Sequence, residues 1–86
     1  MNAPFTGKDG ETAFARLCDE LRPDLFRFAF WLARDRQVAE DVVQETLVKA
    51  WSNLDKFRGD APFRVWVLRI TNNTAVQERL LAHYKT

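Results

Sequence analysis

The amino-acid sequence predicts an all-α protein, built as a compact bundle of three to four helices. After residue 10, apolar residues recur three and four positions apart almost throughout, and the strict alternation of β-strands is missing. The chain has 86 residues, which is enough for one small domain. Its composition, 47% hydrophobic and 29% charged, is that of a globular protein rather than a membrane segment. Because residues 1–10 lack the order of a secretory signal, we expect a cytoplasmic protein.

The first third of the chain should contain two helical segments. Residues 1–10 hold one proline and two glycines without periodicity and are predicted to be disordered. Helical spacing then runs from about Glu11 to Glu20. Proline is favoured in a first turn, so a second helix is predicted from Pro23 to Arg34. The sequence leaves open whether the two segments form one bent helix.

A third helix is predicted from roughly Arg36 to Leu54, because Asp35 before it is a good N-cap. On a helical wheel its core-facing residues fall on one half. These residues are Ala39, Val42, Val43, Thr46, Leu47, Ala50 and Trp51. The opposite side carries Asp41, Gln44, Glu45 and Val48.

The loop Asp55–Asp60 should connect this helix to a fourth one. Gly59 supplies turn freedom in the loop. Asp60 is predicted to cap a helix that begins at Ala61 and ends near Ala82, which leaves residues 83–86 as a C-terminal tail.

The fourth helix is apolar on two sides. Its core face is predicted to consist of Phe63, Trp66, Val67, Ile70 and Thr74. A second apolar stripe, nearly opposite, consists of Val65, Leu68 and Val76. Since so short a chain has little material to cover both sides, the second stripe predicts a surface that docks a partner.

The reactive side chains argue against an enzyme and against a bound metal. Cys18 is the only cysteine and His83 the only histidine, so neither a disulfide nor a structural zinc site can form within the chain. Cys18 lies in a helical pattern beside Phe14 and Leu17, which favours a buried, unreactive thiol. A catalytic Cys–His pair is disfavoured because His83 lies near the terminus. We expect no cofactor.

Basic residues are concentrated towards the C-terminus, but only slightly. Residues 11–56 carry seven basic and nine acidic residues, and residues 57–86 carry five and two. A difference this small does not establish a nucleic-acid surface. It indicates that the second half is the place to look for one.

Four blocks in a fixed order resemble region 2 of bacterial sigma factors of the extracytoplasmic-function (ECF) type. They are Ala39–Trp51 (AEDVVQETLVKAW), Phe57–Gly59 (FRG), Phe63–Ile70 (FRVWVLRI) and Asn73. One block by itself would be weak evidence, but the series keeps its spacing and its aromatic residues in register. The resemblance covers residues 12–78, and a sigma region 2 domain is assigned to residues 11–82.

The resemblance implies a non-enzymatic domain for transcription initiation and stress-related transcription regulation. Such a domain binds core RNA polymerase at the clamp helices of the β′ subunit. It recognises and melts the −10 promoter element and holds its non-template strand unpaired, while the polymerase performs the chemistry. Relatives are commonly restrained by anti-sigma factors, for which the stripe Val65, Leu68 and Val76 is a candidate surface.

For polymerase binding, the resemblance points to Asp41, Gln44, Glu45 and Val48. Their spacing of three and four residues places them on one exposed strip. A solvated helix face is the alternative interpretation. Two features argue against that alternative: no lysine is expected to balance the carboxylates, and Val48 leaves an apolar group among them. Carboxylates around an apolar centre suit docking to a basic partner helix.

For DNA binding, the resemblance points to the loop and the fourth helix. The loop residues Phe57, Arg58, Gly59 and Asp60 would receive a flipped −10 base. Arg64, Arg69, Asn73 and Gln77 on the helix supply the guanidinium and amide groups suited to phosphates and base edges. Three alternatives stay open here: Phe63 and Trp66 as core residues, Phe57 as a plug that holds the loop, and Arg58 paired with Asp60.

The chain departs from the family pattern after Asn73. Only Arg79 and Lys85 follow as cations, so affinity for duplex DNA should be weak and salt-sensitive. The region 4 domain that reads the −35 element does not fit into 86 residues, so we expect a fragment of a longer protein. The main alternative function is a sigma-like mimic that sequesters an anti-sigma factor without binding DNA. The promoter sequence, the inducing signal, the anti-sigma factor and the oligomeric state are left open.

Overall fold

The computed structural model describes the backbone of residues 7–85 and the side chains of residues 10–79. Over this range the chain forms three α-helices and one short 3₁₀ turn, without strands. The helices are α1 (Gly7–Ala33), α2 (Arg36–Ser52) and α3 (Phe63–Lys85), and the 3₁₀ turn is Leu54–Lys56. The predicted all-α class is confirmed, with three helices. None of the described helices has the length and apolarity needed to cross a membrane.

The first helix, α1, is continuous through Pro23, so the two predicted segments are one helix. Proline removes one backbone donor, which leaves the carbonyl of Asp19 without its helical partner. Both residues are exposed, so water can satisfy that carbonyl. Helix α1 also begins at Gly7 and therefore includes the last four residues of the segment predicted to be disordered. The prediction for residues 1–6 and the prediction about the His83 side chain lie outside the described residues.

Two residues, Arg34 and Asp35, reverse the chain between α1 and α2. Arg34 adopts a left-handed conformation with φ 57°, and its N–H donates to the carbonyl of Phe30 at 2.7 Å. Asp35 is extended, and its Oδ1 accepts from the N–H of Val38 at 3.0 Å. The predicted N-cap is thereby confirmed, and α1 and α2 meet through a tight turn.

The core lies where the three helices meet. Its buried apolar residues are Phe14, Cys18, Leu25 and Ala29 from α1, Ala39, Val42, Val43 and Ala50 from α2, and Val67 and Ala75 from α3. Three threonines are also fully buried. Thr71 donates to the carbonyl of Val67 at 2.9 Å and Thr74 accepts from Lys49, whereas Thr46 Oγ1 has no partner among the described residues.

An aromatic cluster connects the core to the loop between α2 and α3. Phe63 lies with its ring centroid 5.9 Å from Phe14 of α1 and 5.5 Å from Phe57 of the loop. Trp66 is 5.2 Å from Phe57 and 5.9 Å from Phe63. Phe63 and Trp66 are half-buried against the core, as predicted. Trp51 is predicted to lie on the core side of α2, but it is 44% exposed, with its ring centroid 5.0 Å from that of Phe14.

Helix α2 ends at Ser52, two residues before the predicted end, because Asn53 closes it. The backbone N–H and the side-chain Nδ2 of Asn53 both donate to the carbonyl of Lys49, at 2.9 and 2.8 Å. The remainder of the predicted helix is the 3₁₀ turn. Gly59 then takes φ 80°, which confirms its predicted role in the turn.

The start and end predicted for α3 were both displaced. The carbonyl of Pro62 accepts from the N–H of Trp66 at 3.1 Å, so Pro62 occupies the N-cap position and the predicted cap at Asp60 is wrong. Asp60 lies three residues before the helix, which is too far for its side chain to reach the first turn as a cap does. At the other end α3 continues to Lys85, and residues 83–85 are helical rather than a tail.

Replacing Asp35 by Ala should lower the free energy of unfolding by about 1 kcal/mol, because the N–H of Val38 loses its side-chain acceptor. Urea denaturation followed by far-UV circular dichroism measures the change. Asp35→Asn keeps an acceptor oxygen and should lose much less. Equal losses in the two variants would contradict the capping role of Asp35.

The Cys18 thiol should be protonated and slow to react in the native protein. Burial raises the pKa of Cys18 from 9.0 to about 11. The folded protein therefore holds the proton more tightly than the unfolded chain, and the free energy of unfolding should fall as pH rises from 9 through about 11. Iodoacetamide alkylation as a function of pH measures the pKa directly. Cys18→Ala should lack this component of the pH dependence, and a native thiol that titrates near 9 would contradict the expectation.

Candidate functional site

The strip predicted for polymerase binding lies on the outer face of α2. Asp41, Gln44 and Val48 are exposed, Glu45 is half-buried, and the four side chains line one shallow depression. Val48 is 64% exposed, an unusual position for a valine in a small domain. The strip therefore presents an apolar centre between polar groups, as the spacing predicted.

The expectation that no lysine balances this strip was wrong. Lys49 Nζ lies 3.0 Å from Oε2 of Glu45, one helical turn along α2. Asp41 accepts from Nε2 of Gln37 at 3.2 Å, and this neutral amide leaves the carboxylate charge in place. Asp41 is thus the uncompensated acidic group of the strip, because Glu45 is already paired.

A pocket of about 230 Å³ opens between the α2–α3 loop and the first turns of α3. Its lining combines two aromatic rings, three cations and one carboxylate. The lining residues are Lys56, Phe57, Arg58, Asp60, Ala61, Trp66 and Arg69. Rings can stack on a base, guanidinium groups can hold phosphates, and a carboxylate can accept from an exocyclic amine.

Phe57 takes the plug position that was predicted as one of its alternatives, while its role in receiving a base stays a prediction. Its ring packs against Phe63 and Trp66, which anchors the loop to the core, and it also lines the pocket. Gly59 is needed in the same loop because its φ of 80° is a backbone conformation that other residues rarely adopt. Lack of space is not the reason, since a Cβ there would meet nothing within 4 Å. The loop shape thus depends on one aromatic anchor and one glycine.

The cations predicted to contact DNA differ in availability. Arg64 donates to Oδ2 of Asp24 at 3.2 Å, and Asp24 is also paired with Arg27, so Arg64 ties α3 to α1. Arg58 and Arg69 are exposed, and no carboxylate of the described residues lies within ion-pair distance of either one. The predicted alternative of an Arg58–Asp60 pair is therefore not observed.

A second groove lies between α1 and α3, with a volume of about 410 Å³. Its lining residues are Phe28, Val65, Leu68, Arg69, Asn72 and Asn73. Arg69 lines both this groove and the loop pocket. Phe28 and Asn72 were missed by the sequence reasoning. The other four lining residues were predicted as surface residues of α3, but nothing in the local pattern places Phe28 of α1 beside them.

The apolar stripe predicted as a partner surface is divided by the fold. Leu68 is half-buried and packs against the core, whereas Val65 is 39% and Val76 48% exposed. Both valines share the outer face of α3 with Arg69 and Asn73. An apolar surface distinct from the predicted DNA face is therefore not formed by these three residues.

Gln77 is exposed on the side of α3 that faces α2. Its Oε1 accepts from Lys49 Nζ at 2.9 Å. No group of three or more His, Cys, Asp or Glu side chains that could hold a metal ion occurs within the described part of the chain.

Comparison with known proteins identifies the family to which this three-helix domain belongs. The family model for sigma-70 region 2 matches residues 17–81, and the chain belongs to this family. ECF RNA polymerase sigma factor SigL of Mycobacterium tuberculosis is 39% identical over 77 residues, which are 87% of this chain and 44% of SigL. ECF RNA polymerase sigma factor SigX of Bacillus subtilis is 29% identical over 66 residues, covering 77% of this chain and 34% of SigX.

A shorter similarity connects the chain to the RNA polymerase sigma-H factor of Pseudomonas aeruginosa, with 51% identity over 41 residues, 48% of this chain and 21% of that protein. No solved structure matches the chain significantly. The chain spans less than half the length of these curated relatives. The matches support the region 2 domain of an ECF sigma factor, as the four sequence blocks indicated.

Proposed function

We propose that this chain is the promoter-opening domain of an ECF sigma factor in transcription initiation. It binds core RNA polymerase through the α2 strip and holds unpaired bases of the −10 non-template strand at the loop pocket and on α3. The observation that carries the proposal is the loop pocket, because it combines stacking surfaces with Arg58 and Arg69, which form no ion pair with any carboxylate of the described residues. The domain performs no catalysis, requires no cofactor and acts in the cytoplasm beside the polymerase.

The interactions available at the proposed DNA site are strong enough to offset the free energy of removing one base from the duplex. Removing a base from the stack costs a few kcal/mol. Stacking on an aromatic ring returns about 1–3 kcal/mol per base. Lys56, Arg58 and Arg69 around the same pocket can add phosphate contacts, which strengthen binding at low salt. Together these terms are of the size that strand separation requires.

The proposed polymerase site matches a basic helical partner with an apolar centre, the β′ clamp helices. Asp41 supplies a negative charge that forms no ion pair with a cation of the described residues, and Val48 supplies apolar area. Charge complementarity steers such an encounter, and burial of the apolar centre stabilises it. Docking on α2 leaves α3 and the loop on other faces of the bundle for DNA.

Exposed valines favour a second candidate function, in which the domain binds an anti-sigma factor. Val65 and Val76 leave apolar area on α3 beside the predicted DNA residues. A partner that covers Val65, Leu68 and Val76 would therefore block DNA at the same time. A mimic that only sequesters such a partner would bind it without binding promoter DNA, so a measurement of DNA binding separates the two functions.

Substituting Arg58 or Arg69 by Ala should weaken binding to a single-stranded −10 oligonucleotide in the presence of core RNA polymerase. Each cation that contacts a phosphate contributes about 0.7 to the slope of log K against log salt for single strands. Fluorescence anisotropy at several salt concentrations measures this slope. Arg16→Ala is the matched control, since it removes an equal charge from an exposed position on α1.

A slope that falls with Arg58→Ala or Arg69→Ala, but not with Arg16→Ala, supports direct phosphate contacts. Equal slopes in all variants would contradict the DNA site. If the unmodified chain binds core polymerase but no −10 oligonucleotide, the mimic is the better description.

Asp41→Lys should reduce the affinity for core RNA polymerase by at least roughly tenfold, because it places a cation against a basic partner at a close charge pair. Binding of the fluorescently labelled chain to core polymerase measures the change. Glu11→Lys makes the same charge change at an exposed position of α1 and should retain binding. Circular dichroism checks that both variants are folded. Undiminished binding by Asp41→Lys would rule out the α2 strip as the polymerase surface.

A further inference from the structure

Lys49 is bonded to three acceptors at once, and two of them lie on another helix. Its Nζ is 3.0 Å from Oε2 of Glu45, 3.3 Å from Oγ1 of Thr74 and 2.9 Å from Oε1 of Gln77. An ammonium group has three N–H donors and no acceptor. All three donors are therefore engaged, and the ammonium is held between α2 and α3.

This arrangement determines which end of the Gln77 amide faces outward. Because Lys49 can only donate, the atom turned towards it must be the amide oxygen and not the nitrogen. The NH₂ group of Gln77 is left as the end that can meet a ligand. The positive charge next to the amide also disfavours the approach of a second donor to the remaining lone pair of that oxygen.

A glutamine without such a neighbour would behave differently towards bases. A free amide rotates, and with its oxygen and nitrogen together it pairs with the N6 and N7 positions of adenine. A glutamine that offers donors alone suits an edge with acceptors alone, and guanine has two of them, O6 and N7. Fixing the amide thus changes which base fits.

We propose that Lys49 is a positioning residue that makes Gln77 a donor, so that the protein selects guanine over adenine at the nucleotide facing Gln77. The inference rests on the proposed function, because it assumes that this face of α3 meets DNA. Thr74 contributes by its position: it is fully buried one turn before Gln77, and its hydroxyl helps to hold the ammonium beneath the amide.

The test is a selection experiment with the full 86-residue chain bound to core RNA polymerase. The probe is a pool of forked promoter oligonucleotides, duplex upstream and single-stranded through the −10 element, with these positions randomised. Sequencing of the bound fraction gives the base preference at each position. Gln77→Ala identifies the position that Gln77 reads, since only there should the preference for guanine disappear.

The unmodified chain should prefer guanine over adenine roughly tenfold at that position, and Lys49→Met should abolish this preference. The base preferences at the other positions should stay unchanged. The double variant Lys49→Met/Gln77→Ala should show the same base preference at that position as Gln77→Ala alone. Both substitutions remove the same interaction, the one between Lys49 and Gln77. Arg36→Met is the matched control, because Arg36 forms an ion pair with Glu40 on the same helix without reaching α3. It should keep the preference.

A second variant, Gln77→Glu, tests the proposal independently in case Lys49→Met does not fold. Gln77→Glu keeps a partner for Lys49 on the exposed surface but presents only acceptors, so the preference should change to bases with an exocyclic amine, adenine or cytosine. Retention of guanine selection by Lys49→Met or by Gln77→Glu would overturn the inference while leaving the proposed function intact. A chain that selects no base at any position would overturn both.

Discussion

Ring packing where α1, the α2–α3 loop and α3 meet is the interaction on which the candidate DNA site depends. Phe63 contacts Phe14 on one side and Phe57 on the other, and Trp66 contacts Phe57 and Phe63. The loop has neither helical nor strand hydrogen bonds after the 3₁₀ turn, so these ring contacts supply its shape. Aromatic pairs combine large buried area with few rotatable bonds, which suits them to hold a loop at low entropic cost. The cations of the loop are thereby kept beside a preformed pocket.

Local pairing decides which charges remain available for partners. The second half of the chain is basic by count, but Arg64 is engaged by Asp24 of α1, so its charge is partly neutralised within the bundle. Arg69 forms no ion pair with any carboxylate in the described part of the chain, and it lines both the loop pocket and the α1–α3 groove. On the acidic side, Glu45 is paired with Lys49. Fewer charged side chains are therefore available to a partner than the composition suggests.

The cluster around Lys49 joins the two proposed surfaces. Glu45 belongs to the α2 strip, and Gln77 belongs to the face of α3 predicted to read bases. Lys49 is only partly exposed, and charge-assisted hydrogen bonds are stronger there than in open water. A change at Glu45 would thus reach α3 through one side chain, which makes the strip and the base-reading face physically connected parts of one small domain.

Local sequence by itself determined the helical class, the cap at Asp35, the turn at Gly59 and the exposed strip on α2. Caps, turns and helical faces depend on residues within about four positions of each other, so they are visible in a linear pattern. Tertiary structure alone decided that α1 continues through Pro23, that Trp51 is only partly covered and that Phe28 lies in the groove beside Asn73. It also decided the two partners of Lys49 on α3, which lie 25 and 28 residues away. Such contacts depend on how the helices pack, and packing is settled by the fit of all three helices together rather than by any local run of residues.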